Sequence, residues 1–166
     1  MPRSKRLSHI SPAGQARMVD VSKKASTRRW AKAEAWVDIG PAIAAAIRDA
    51  GGLAKGNVLE TARLAGILGA KHTPTLIPMC HPLALDHVEV AAELVGDRVR
   101  IVASVRCEGP TGVEMEAMTA AAVAALTVYD MVKSAGRGIR IGPIRLLAKR
   151  GGRGGRWSAD DVHRKG

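Results

Sequence analysis

The fold turns on VEVAAELVGDRVRIVASVRC, residues 88–107. Val88 and Val90 open one run in which apolar and polar residues alternate. Val99, Ile101, Ala103, Val105 and Cys107 form a second, and Gly96-Asp97 between them has the residue types of a tight turn. Successive side chains on a strand point to opposite faces, so each run buries one side, and the pair predicts two antiparallel strands joined by a hairpin. Working back toward the N-terminus, Ala31, Ala33, Ala35, Val37 and Ile39 alternate with Lys32, Glu34, Trp36 and Asp38, which predicts another half-buried strand. Gly40-Pro41 ends it, and Pro41 suits the first turn of a helix running to Gly51-Gly52. A second helix is expected from Asn57 to about Lys71, with Asn57 capping the backbone and Glu60 reaching back. Thr73-Pro74 predicts a short helical turn within TPTLIPMCHP.

Past the hairpin, about Val113 to Ser134 reads as a long helix, and Ile139, Ile141, Ile144 and Leu146 as a last strand. The order β-α-α-β-β-α-β is, apart from one extra helix, the split βαβ pattern. It predicts an α+β ferredoxin-like fold, an antiparallel sheet packed against helices. The expected division is a basic arm over 1–28, the catalytic domain over 29–149 and a mobile Gly/Arg-rich tail over 150–166. With no Phe and a single Tyr, the core must be built from Ala, Val, Leu, Ile and Met. Small side chains bury little area each, which favours close helix packing and burial against other subunits.

The charge of +11 is unevenly spread: nine Lys or Arg and one acid lie between Met1 and Lys32, and six and two between Lys149 and Gly166. The middle is nearly balanced, so basic ends flank a neutral core. Such ends suit phosphate groups on a small ligand or on nucleic acid. Two isolated cysteines, Cys80 and Cys107, make no disulfide framework. No apolar run approaches the roughly 20 residues of a membrane span, and a cytoplasmic protein is expected.

On the long helix, Glu116, Thr119, Thr127, Asp130 and Lys133 fall within about 120° of arc. Such a stripe is either solvated or lines a cavity or subunit interface. Asp130 and Lys133, three apart, form either an ion pair or a positioned acid and base. Cys80 and His81, with His72 and His87 nearby, lack the paired spacing of a metal site, and no metal is expected. Lys55, just ahead of a helix start, is placed to attract phosphate.

Six segments, MVDVS (18–22), KGNVLETARLAGI (55–67), LIPMCHPL (76–83), TGVEMEAMTAA (111–121), LTVYDMVK (126–133) and IGPIRLLAK (141–149), resemble the MoaC family of cyclic pyranopterin monophosphate synthases, in that family's order. The resemblance covers about His9 to Gly155. It implies a lyase of molybdenum cofactor biosynthesis that converts 3′,8-cyclo-7,8-dihydroguanosine 5′-triphosphate to cyclic pyranopterin monophosphate and releases pyrophosphate. It further implies a homohexamer, a trimer of dimers, with active sites between subunits, a radical enzyme upstream and molybdopterin synthase downstream. By position, Asp130, Lys133, Lys55 and His81 take catalytic roles. Met79, Cys80, His81, Glu114, Met115, Glu116, Arg29 and Lys149 take substrate-binding ones. No resident cofactor is implied, although Mg²⁺ can accompany a triphosphate. Clustering of Lys55, Lys133 and Lys149 would lower one amine's pKa and make it a base near neutral pH. The C-terminal loop departs from the family's usual KSGGKSG: here it is KRGGRGG, which keeps charge and loses a hydroxyl, and an arginine at 153 holds phosphate but does not titrate.

Two rival readings differ in class. A basic ferredoxin-like nucleic-acid module needs aromatics on its central strands, and the strand from Val99 to Cys107 carries Arg100, Ser104 and Arg106 on its polar face. A protein that only binds the nucleotide derivative would keep the basic residues without requiring Asp130.

Overall fold

A computed structural model of the chain describes residues 14–50 and 57–160. In chain order it has β1 (Thr27–Asp38), α1 (Gly40–Ala50), α2 (Val58–Lys71), α3 (Thr73–Leu76), β2 (His87–Val95), β3 (Arg98–Gly109), α4 (Glu114–Val132), β4 (Arg140–Arg150) and β5 (Trp157–Ser158). The sheet order is β2-β3-β1-β4-β5, every neighbouring pair antiparallel. Strand β3 thus lies between β1 and β2, and β1 between β3 and β4, the interleaving of a split βαβ fold.

The hairpin closes with Val95 opposite Arg98, so Gly96-Asp97 is a two-residue turn, and Gly96 takes the positive φ (+59°) that it needs. Asp97 O then accepts from the backbone N–H of Ile39 and Gly40, tying this turn to the end of β1. Ala31, Ala33, Ala35 and Val37 on β1, with Val99, Ile101, Ala103 and Val105 on β3, are completely buried. Against them lie Ala117, Ala120, Ala121, Ala124, Ala125, Val128 and Val132 of α4. Small residues on both surfaces bring helix and sheet close. Between α2 and α4 the approach is closer still: a methyl group at Gly66 would lie 3.0 Å from Ala120 O, and one at Gly69 2.9 Å from Val123.

Several details differ from expectation. Strand β1 starts at Thr27, four residues earlier than the alternation suggests, because β3 pairs with it as far as Gly109. Asn57 Oδ1 accepts from Glu60 N at 3.0 Å, but the Glu60 carboxylate turns to Arg63 instead of reaching back. The tail contains β5, which extends the sheet by pairing with Ala148 and Lys149. By length and composition α4 could span a bilayer, contrary to the expectation from sequence, yet it is the central helix of this core.

The sheet's second face carries Trp30, Lys32, Glu34, Trp36 and Asp38. Arg98 stacks 4.1 Å over Trp36, and Arg150 lies 5.2 Å over Trp30. Trp30 Nε1–H donates to Ser104 Oγ at 2.9 Å. Glu34, only 3% exposed, accepts from Arg145 (2.8 Å) and Arg100 (3.2 Å). Burial alone would push its carboxyl upward, but the two guanidiniums hold it below the ordinary value. Central strand β1 therefore carries two tryptophans, so the polar face of β3 does not by itself decide against a nucleic-acid module. Each already bears a guanidinium on its face.

Candidate functional site

Two cavities adjoin at the C-terminal end of β3 and the start of α4. The first, about 470 Å³, is lined by Val19, Val21, Met79, Cys80, His81, Glu114, Met115 and Glu116 among others. The second, about 730 Å³, is walled by Lys23, Lys24, Arg29, Lys149, Arg150 and Arg153, with the glycine-rich loop closing one side. Lys24, Thr111, Gly112 and Glu114 border both. One site thus has a compartment of thiol, imidazole and carboxyl groups beside a compartment of cations.

The local folding explains each position. The α3 turn and the prolines around it end helical structure, so the segment carrying Met79, Cys80 and His81 runs as a loop across the start of α4. His81 Nε2–H donates to Val19 O at 2.7 Å; the carbonyl can only accept, so Nε2 carries the proton and Nδ1 is left to accept one. Glu114 and Glu116 occupy the first turn of α4, where the helix dipole favours negative charge. Glu116 is 3% exposed, and among the described residues its Oε2 has no hydrogen-bond partner. Burial pushes this carboxyl above its ordinary value, and the neighbouring charge of Glu114 adds to the effect. Burial likewise raises the Cys80 thiol, with Glu116 contributing, so the group is a poor thiolate.

In the cationic compartment, Arg29 Nε–H donates to Gly109 O (3.2 Å) and its Nη2–H to Pro110 O (3.3 Å), which fixes the guanidinium at the end of β3. The loop after β4 rests directly on it. A methyl at Gly152 (φ +69°) would lie 1.5 Å from Arg29 Nη1, and one at Gly151 (φ +101°) 2.2 Å from Arg28 O. These glycines permit contact as well as closure. Lys149 Nζ donates to Glu114 Oε1 at 2.6 Å, joining the two compartments.

Asp130 and Lys133 are elsewhere. They pair at 2.7 Å at the far end of α4, both more than half exposed. At 1.5 Å per residue, the 19 positions from Glu114 to Lys133 span about 28 Å. Within one chain Lys133 therefore does not join Lys149. The pKa of Lys133 is raised by the hydrogen bond and charge of Asp130, so this amine is not one that clustering lowers. Lys55 lies outside the described residues. The helix stripe is not one surface: Glu116 and Thr119 are buried, Thr127 donates its hydroxyl to Val123 O, and only the last pair is open. Among the described residues no three His, Cys, Asp or Glu side chains are grouped as a metal would require.

The residue reading overlooked Val19, Val21, Lys23, Lys24, Thr111 and Gly112. The first four belong to a segment without periodicity, where the MVDVS motif pointed to Val19 and Val21 and only the overall basic charge of the arm to Lys23 and Lys24.

Fold and site together define an α+β subunit with a bipartite pocket, one part lined by cations and the other by a thiol, an imidazole and carboxyl groups. The MoaC family model matches residues 18–152, and the chain belongs to that family. It is 56% identical over 158 residues to a cyclic pyranopterin monophosphate synthase of Methylobacterium sp. (strain 4-46), covering 93% of this chain and 97% of that one. Over 157 residues it is 55% identical to the protein of the same name from Rhodospirillum rubrum, covering 92% and 93%.

Proposed function

We propose that the chain is a cyclic pyranopterin monophosphate synthase that acts on a cyclised guanosine triphosphate derivative and releases pyrophosphate. The observation that carries this reading is the junction of the two cavities at Glu114, with cations on one side and a buried carboxyl, an imidazole and a thiol on the other. Forming the cyclic phosphate requires a hydroxyl to attack the phosphorus nearest the sugar while the bond to pyrophosphate breaks. Arg29, Lys149, Lys24 and Arg153 hold the phosphate chain and offset charge on the leaving group. Rebuilding the ring system requires proton transfers. Glu116, whose burial favours the protonated form, donates, and His81 accepts at Nδ1.

In this reading Asp130 and Lys133 serve a second subunit's cavity. Leu126 and Tyr129 share their face of α4 and are 60% and 41% exposed, and α2 adds the exposed Leu64 and Leu68. An open apolar surface next to an ion pair supports docking of another copy, in line with the homohexamer, a trimer of dimers, that the family resemblance implies. Lys55 keeps the catalytic role that its motif implies. The reaction needs no resident metal, takes place in the cytoplasm, and stands between a radical enzyme and molybdopterin synthase. Val19, Val21, Lys23 and Lys24 of the arm, and Arg150 to Gly154 of the tail, line this site.

Incubating the purified protein with the cyclised nucleotide and following pyrophosphate tests the proposal. Stoichiometric pyrophosphate with cyclic phosphate product is expected; tight binding without release would leave a carrier instead of an enzyme.

A further inference from the structure

Lys149 is paired before any ligand arrives. Its ammonium and the Glu114 carboxylate meet at 2.6 Å, each side chain about one-third exposed. Glu114 borders both cavities, whereas Lys149 borders only the cationic one. The backbone makes room for this pair. A methyl group at Gly112 would lie 1.8 Å from Glu114 Oε2, and Gly112 is not in the left-handed region, so the glycine supplies space and not a special conformation.

A polyphosphate entering the cationic cavity offers Lys149 several charged oxygens in place of one carboxylate oxygen. Once Lys149 turns to the ligand, Glu114 is an ionised acceptor without its cation, at the mouth of the other compartment. A guanine-derived ring presents N–H donors that such an acceptor binds. We propose that the Glu114–Lys149 pair is a latch: the phosphate chain takes Lys149, and the freed Glu114 then accepts hydrogen bonds from the heterocycle, so that occupancy of one compartment prepares the other. This rests on the reading that the cationic cavity takes the phosphate chain.

Inorganic tripolyphosphate, which lacks a heterocycle, isolates the first half of the exchange when titrated calorimetrically into the full-length protein. Glu114→Gln should bind it about three- to tenfold more tightly than wild type, the scale of one part-buried ion pair. Gly112→Ala, which keeps the charge but displaces the carboxylate, should also tighten binding. A carboxylate near an anion site repels whether or not it holds Lys149, so Lys149→Met decides between the two causes. In that background Glu114→Gln should change affinity by less than about twofold. With the complete nucleotide, Glu114→Gln should instead raise KM, because the acceptor is gone. Equal tightening with and without Lys149 overturns the latch in favour of plain repulsion, and no tightening in Glu114→Gln overturns it outright. If wild type does not bind tripolyphosphate, or Lys149→Met leaves its Kd unchanged, the phosphate reading of the cavity falls and the latch falls with it.

Discussion

Glu116 combines two properties that rarely coexist without a function: near-complete burial and an oxygen with no partner among the described residues. Its raised pKa has a consequence for stability. The unfolded carboxyl ionises at its ordinary value near 4.5, while the folded one does so at higher pH. Between those two values the unfolded state loses its proton first, so wild type should lose stability as pH rises from about 4.5 through the folded pKa. Glu116→Gln removes this dependence. Thermal unfolding at pH 5 and pH 8 should show a smaller pH difference in the variant and a higher Tm at pH 8, whereas turnover should fall about 10²-fold or more if the carboxyl donates a proton. A variant with the wild-type pH difference would mean that Glu116 titrates normally. The residues in the first cavity were legible in sequence through the LIPMCHPL and TGVEMEA segments, but the protonation state was not. It depends on what covers Glu116, and a sequence names no cover. The same limit explains Lys133: spacing revealed its pairing with Asp130, which raises its pKa, but no spacing shows that Lys149 lies toward the other end of the helix, beside Glu114.

The elements were mostly legible because hydrophobic period dictates them. The alternation in residues 88–107 and 31–39 identifies strands, and the interleaved sheet order follows from the chain order β-α-α-β-β-α-β. What escaped was structure without period: the segment holding Val19 against His81, the two residues of β5, and the loop packed on Arg29. That loop permits a controlled test. Gly152 and Gly155 both have positive φ, but a side chain at Gly152 meets Arg29 while one at Gly155 meets nothing within 4 Å. Alanine therefore costs similar backbone strain at each, about 1 kcal/mol, and differs in its effect on Arg29. Gly152→Ala should raise KM about tenfold while Gly155→Ala changes it by less than about twofold, and the Gly152 effect should largely vanish in an Arg29→Ala background. Equal effects at both glycines would reduce the loop to a strain argument. In the helical layer, Gly66→Val should destabilise by about 1–3 kcal/mol in denaturant unfolding, because Ala120 O and Ala124 leave no room for a branched side chain. An unchanged midpoint would show that α2 moves freely on α4.

Across the whole molecule, Asp130 and Lys133 lie about 28 Å along α4 from Glu114 and border neither cavity, so a catalytic role for them calls for a neighbouring subunit's site. The small-residue core hinted at burial between subunits, since Leu126 and Tyr129 remain open on a helix otherwise packed tightly. Single substitutions test participation: Lys133→Ala and Asp130→Asn should each lower kcat about 10²-fold with substrate still bound. Location needs a different experiment. If Lys133 serves the cavity of a neighbouring subunit, a site uses Glu116 from one chain and Lys133 from another. Mixing Lys133→Ala with Glu116→Gln under conditions that exchange subunits then creates sites with both residues intact, about one quarter of the total for random assembly of equal amounts. Activity should rise from near zero toward that fraction, and only after exchange. If both residues act within one chain, every subunit in the mixture is still defective, and no exchange can restore activity. A mixture that stays inactive while mass measurements confirm hybrid oligomers would therefore mean that Glu116 and Lys133 are needed in the same chain, against a site shared between subunits. If Lys133→Ala alone turns over at the wild-type rate, its ion pair with Asp130 is a surface feature, and the acid–base work falls to Glu116 and His81 alone.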